Sequence, residues 1–119
     1  MTTTIYGIPN CDTVKKARAW LAQRGDSTRF HDLRKDGLDA GQVARWHDAV
    51  GDKLVNRRGT TWRGLDRAAQ ESADTPAGAQ ALVIAHPALI KRPVVEWPDG
   101  TVSVGFDAAE WSDRPRSAL

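Results

Sequence analysis

The stretch Thr3-Thr4-Ile5-Tyr6-Gly7-Ile8-Pro9-Asn10-Cys11-Asp12-Thr13-Val14-Lys15-Lys16-Ala17 changes period part-way along. Up to Ile8 it is β-branched and aromatic, the composition of a strand. Pro9-Asn10-Cys11-Asp12 interrupts that run. From Thr13 onward, Val14, Ala17 and Leu21 fall on one face of a helix. Asp12 or Thr13 is placed to cap the helix, and Gly25 to end it. Thr28-Arg29-Phe30-His31-Asp32-Leu33 then alternates as a second strand. Strand, helix and strand so close together form a βαβ unit, with parallel strands and a right-handed crossover.

Outward from this unit, Asp39 and Gln42 have the spacing of a capping box. Val43, Trp46, His47 and Val50 follow as an apolar helical stripe, with Gly51 placed to stop it. Trp46 is expected in the core. Asn56-Arg57-Arg58-Gly59-Thr60-Thr61-Trp62-Arg63 reads as irregular and strongly basic. A short helix is expected from Leu65 to about Ser72. Another should start at Thr75-Pro76, a cap followed by proline in the first turn, and run to about Ala85. Pro93-Val94-Val95-Glu96-Trp97 and Thr101-Val102-Ser103-Val104 form a hairpin around Pro98-Asp99-Gly100. Asp107 and Glu110 make a second capping box for a last helix starting near Trp111, and the tail from Ser112 to Leu119 is expected to fray. The whole is an α/β chain, β-α-β then helices then β-β-α. It is expected to be one domain over 1–119, with a core at about 3–33 and 88–112 and a helical insertion at about 38–86.

The chain has 119 residues, 40% of them hydrophobic, enough for one modest core. Its 17 basic and 15 acidic side chains nearly cancel. That balance argues against nucleic acid and membrane surfaces as partners, since both favour clustered basic patches. No run approaches the length of a membrane span, and Met1-Thr2-Thr3-Thr4-Ile5 lacks the basic and apolar parts of a secretory leader. With Cys11 as the single cysteine no internal disulfide can form, so the expected location is a reducing cytoplasm. His31, His47 and His86 lack metal-ligand spacing, and no metal is expected.

Cys11 lies where the first strand gives way to the first helix. A helix N-terminus offers unpaired N–H groups and partial positive charge, and both favour a thiolate over a thiol. Lys15, Lys16 and Arg18 add positive charge within two turns, while Asp12 opposes the effect. The alternative is an inert, buried cysteine acting as a small apolar residue. Val14 stands where a Cys-x-x-Cys motif has its second cysteine. A mixed disulfide at Cys11 therefore cannot be resolved within that motif, and turnover needs an external thiol such as glutathione or a glutaredoxin.

From Tyr6 to Ala17 the sequence resembles the ArsC/Spx family, most of all its YffB-like branch. Three further blocks agree in order and spacing: Phe30 to Leu38, Asn56 to Arg63, and His86 to Pro93. The resemblance spans about residues 3 to 112 and implies a thioredoxin/glutaredoxin-like fold. It also implies that Cys11 is the nucleophile and Pro93 a cis-proline beside it. Arg57 and Arg92 match arginines that hold the oxyanion in glutaredoxin-coupled arsenate reductases. The activity implied first is a glutathione-dependent thiol reductase. In that reading Arg57 and Arg92, with Lys15, Arg58 and Asn10, bind the tripeptide, and backbone beside Pro93 pairs with its peptide groups. Glutathione is then a co-substrate, glutaredoxin a partner, and no cofactor stays bound. Arsenate reduction is a second implied activity. Two departures bear on it: Thr101-Val102-Ser103-Val104-Gly105-Phe106 contains no counterpart of a third family arginine, and Gly7 stands where some members have histidine. A third implied role is that of an Spx-like regulator that binds RNA polymerase; there the usual Cys-x-x-Cys switch is absent because of Val14.

Overall fold

A computed structural model of the chain describes residues 2–116. The fold contains a four-stranded sheet, and the residues gather into two compact units. One unit runs through Gly37 and resumes at Arg92; the other spans Leu38–Lys91.

In the first unit, β1 (Thr3–Gly7) leads into α1 (Asp12–Arg24) and then β2 (Thr28–Asp32), which pairs with β1 in parallel. After the return at Arg92 come β3 (Val94–Glu96) and β4 (Val102–Val104). β3 is antiparallel to both β1 and β4, so the sheet order is β2-β1-β3-β4. This is the thioredoxin-like layout that the resemblance implies. The stripe Val14, Ala17 and Leu21 on α1 is fully buried. Ala17 and Leu21 join Ile5, Val95, Trp97 and Trp111 in one apolar cluster, with Trp20, Phe30 and Phe106 packed against it. Gly25 ends α1 in a left-handed conformation at φ 84°, its N–H reaching the carbonyls of Leu21 and Ala22.

Two expectations at the C-terminal end need correction. The last helix, α6 (Ala108–Trp111), starts immediately after its cap Asp107, whose carboxylate accepts the N–H groups of Ala109 and Glu110. Trp111 is therefore its last residue. Residues 112 to 116 are also tied to the fold by hydrogen bonds. Arg24 donates to the carbonyls of Trp111, Arg114 and Pro115 while making a two-pronged pair with Asp26, and Arg114 binds Glu110 and Thr101. The remainder of that tail, 117–119, lies outside the described residues.

The second unit holds α2 (Ala40–Val50), α3 (Thr60–Arg63), α4 (Arg67–Ser72) and α5 (Pro76–Ala85). Asp39, Asp66 and Thr75 cap α2, α4 and α5 with side-chain oxygens. α2 lies against α5, burying Val43 and Trp46 of α2 and Ala79, Leu82 and Val83 of α5. His47, read as part of the apolar stripe, is only half-buried and meets Gln80 at 3.3 Å. The basic stretch is less irregular than its composition indicates, because Thr60 to Arg63 closes the helical turn α3 after Gly59.

Candidate functional site

The first unit presents Cys11, Asn10, Lys15, Arg92 and Pro93. Cys11 is itself the N-cap of α1, with extended backbone at φ −92° and ψ 124°. Asp12, an expected cap, is the first helical residue instead. The N-cap is the position from which a Ser or Asp oxygen accepts the free amides of the first turn. The cysteine side chain makes no capping hydrogen bond, and the residue is half-buried. A thiolate formed there lies at the positive end of a 13-residue helix. The backbone fixes the approach: the Cys11 N–H reaches the Ile8 carbonyl at 3.3 Å, and its carbonyl accepts from Lys15 at 2.9 Å.

Gly7 explains how the strand delivers Cys11 to that position. A Cβ on Gly7 would stand 2.7 Å from Cγ2 of Val14, so β1 ends directly beneath the first turn of α1. Val14 is fully buried there. A side chain at residue 7, histidine included, would require Val14 to shift. On the other side, the pairing of Tyr6 with Val94 brings Pro93 opposite Gly7 one residue further along the register. The Arg92–Pro93 peptide bond is cis, as the resemblance implies, and Pro93 is buried. Sheet register thus sets Pro93 at the strand end that leads to Cys11. Asn10 and Lys15 are exposed on either side of Cys11 in the chain, and Arg92 is half-buried.

Arg57 and Arg58 belong to the second unit. Their segment is anchored by backbone: Val55 bridges Ile90, the Asn56 N–H reaches Leu89, and the Lys91 N–H reaches Leu54. Asn56 turns the chain by accepting the Arg58 N–H at 3.1 Å. Arg57 then meets Asp52 side-on, with Nη2 at 2.6 Å from Oδ1 and Nε at 3.3 Å from Oδ2. Its guanidinium also lies over the Trp62 ring at 4.6 Å. Arg57 holds the Asp52 carboxyl below the ordinary aspartate range, and Asp52 in turn raises the guanidinium. Arg58 is exposed, and its carbonyl accepts from Arg63 at 2.7 Å. No sequence pattern marks Asp52 or Trp62 as a partner of Arg57. Trp62 lies within the basic block, but Asp52 precedes it with no periodic relation to Arg57.

Among the described residues no cluster of His, Cys, Asp and Glu is suited to a metal, and no helix is long and apolar enough to cross a membrane.

A family profile described as the ArsC family matches residues 6–113. The chain belongs to the ArsC family. An uncharacterised protein of Haemophilus influenzae is 44% identical over 109 residues, spanning 91% of this chain and 94% of that protein. The solved structure of a protein described as YffB superposes with a TM-score of 0.88 at 41% identity, covering 95% of this chain and 98% of that one. An arsenate reductase (ArsC) related protein from Brucella melitensis gives 0.75 at 46% identity, over 94% and 92% of the two chains. In this ArsC-family chain the thioredoxin-like fold follows from both its own topology and these likenesses.

Proposed function

We propose that this ArsC-family chain is a glutathione-dependent thiol reductase working through one cysteine. The observation that supports it most is the N-cap position of Cys11 above a buried Val14. The first sets the sulfur at the positive end of α1, and the second removes any resolving cysteine from the motif. In the proposed cycle the Cys11 thiolate attacks a glutathionylated disulfide. A Cys11–glutathione disulfide forms and the substrate leaves as a thiolate. A second glutathione thiolate attacks the glutathione sulfur, releasing glutathione disulfide and regenerating the Cys11 thiolate; where glutaredoxin acts instead, its own cysteine thiolate takes the glutathionyl group. Arg57, Arg92, Lys15, Arg58 and Asn10 are the proposed ligands for the tripeptide's polar groups. Backbone beside Pro93 is the proposed partner of its peptide groups. A reducing cytoplasm fits this chemistry.

Incubation with oxidised glutathione followed by intact-mass measurement tests the reading. The expected product carries one glutathionyl group, reverses with reduced glutathione, and is absent in Cys11→Ser. No adduct at any ratio of disulfide to protein rejects it. Arsenate reduction is a second reading, favoured by the description of the Brucella relative. Arsenate-dependent turnover with glutathione and glutaredoxin supplied would select it over the first.

A further inference from the structure

Arg57 is proposed above as a ligand for an anion, yet an anion already lies against it. An arginine carries five N–H donors in a planar fork. Asp52 takes the edge formed by Nε and Nη2, and the Trp62 ring covers one face of the plane. The edge formed by Nη1 and the second hydrogen of Nη2 lies outside that pair. It has the geometry to receive another carboxylate or one edge of a tetrahedral oxyanion, two oxygens at a time.

From this arrangement we infer that Asp52 is a positioning and specificity residue. It holds the Arg57 fork in orientation and biases that fork toward a single-charged carboxylate over a doubly charged oxyanion. Two consequences follow from its placement. A guanidinium gripped along one edge and stacked on an indole has lost the side-chain freedom that a ligand would otherwise have to remove. An incoming anion also meets a carboxylate across the same guanidinium. Repulsion grows with the ligand's charge, so a dianion such as phosphate or arsenate loses about twice what a carboxylate loses. A glutathione carboxylate is favoured. The inference rests on the glutathione reading, and it supplies a physical basis for preferring the tripeptide to arsenate that does not depend on the missing third arginine.

The test uses the intact protein and two ligands that cannot react with Cys11: S-methylglutathione and inorganic phosphate. Calorimetry is done at a pH where phosphate is mainly the dianion. Wild type should bind S-methylglutathione more tightly than phosphate. Asp52→Asn removes the charge and keeps an acceptor for Arg57, so the preference should narrow by about fivefold, mostly through tighter phosphate binding. High salt should shrink that change. Asp52→Ala frees the fork and should weaken S-methylglutathione by about fivefold. A preference in Asp52→Asn within twofold of wild type would overturn the inference, leaving Asp52 a surface ion-pair partner only. Undiminished binding in Arg57→Ala, tighter binding of phosphate than of S-methylglutathione by wild type, or binding of neither would overturn it as well. Because the thioether forms no disulfide, each of these outcomes is read apart from the Cys11 adduct that tests the glutathione reading.

Discussion

Arg24 and Arg57 are placed alike at first sight. Each gives its Nε and Nη2 edge to an aspartate, and each lays its guanidinium over a tryptophan ring, Trp20 at 4.9 Å and Trp62 at 4.6 Å. They differ at the other edge. Arg24 sends its remaining donors to the carbonyls of Trp111, Arg114 and Pro115, and its aspartate is wholly buried. Arg57 has a partner whose side chain is 69% exposed, and one edge of its own outside the pair. One residue type with one kind of salt bridge thus closes a fold in the first case and leaves an edge outside the pair in the second. What separates them is the number of donors left over and how much water reaches the carboxylate.

The sharpest way to break this comparison is Arg24→Ala. It leaves Asp26 as a buried carboxylate with its cation gone and takes a donor from three carbonyls, of which that of Trp111 keeps the Arg114 N–H. Removing one member of a buried pair costs about 3 kcal/mol. The urea midpoint should fall accordingly, and amide exchange in α6 should quicken. A loss below about 1 kcal/mol, closer to an ordinary surface substitution, would mean that contacts of Trp111 with Trp20, Trp97 and Phe106 hold the C-terminal segment unaided.

Arg57→Ala should show the opposite profile. Its partner carboxylate is open to solvent and its ring contact is only half-buried, so stability should change by about 1 kcal/mol or less. Binding of S-methylglutathione should weaken by about tenfold, the scale of one charged hydrogen-bonding contact. Urea unfolding and calorimetry on the same protein read both quantities. A stability loss equal to that of Arg24→Ala with unchanged binding would erase the distinction between the two arginines.

The difference between them also marks how far the sequence can be read. The stripe Val14, Ala17 and Leu21, with Gly25 after it, specifies α1 locally, and the βαβ unit and the hairpin follow from similarly local patterns. The cap of α1 was misplaced because Asp12 and Thr13 are better capping residues than cysteine. The close approach of Gly7 to Val14 helps to set where the helix begins, and no capping preference records it. The tail beyond Ser112 looked unanchored for a related reason. Its polar, proline-containing composition was visible, but the arginine that holds it lies in α1, far away in the chain. At the candidate site, Cys11 was legible from its strand–helix position and Arg57 from the resemblance. Asp52 was not, because the chain from Asp52 to Arg57 follows neither a helical nor a strand period, so the two side chains share no face that a pattern could predict.

The smallest expected effect bears on that same pair. Asp52 is held below the ordinary aspartate range chiefly by its hydrogen bond to Arg57, with the charges of Arg57 and His47 adding to the effect and partial burial opposing it. A carboxyl lowered on folding stabilises the native state at pH values above its unfolded pKa. That contribution disappears as pH falls through the lowered folded value. The pair is therefore fully formed at neutral pH and is lost only in acid. Exposure of Asp52 keeps the change in stability slight, so the carboxyl signal itself, followed by NMR against pH, is the better reporter. In Arg57→Ala the Asp52 midpoint should rise toward the ordinary aspartate range. Asp99 provides the internal control: its carboxyl is lowered chiefly by the hydroxyl and N–H of Thr101, and its midpoint should stay where it was. Equal movement of both would point to a general change in charge or fold. No movement of Asp52 would mean that the side-on pair does not persist in solution, and the orientation of the Arg57 fork would lose its physical basis.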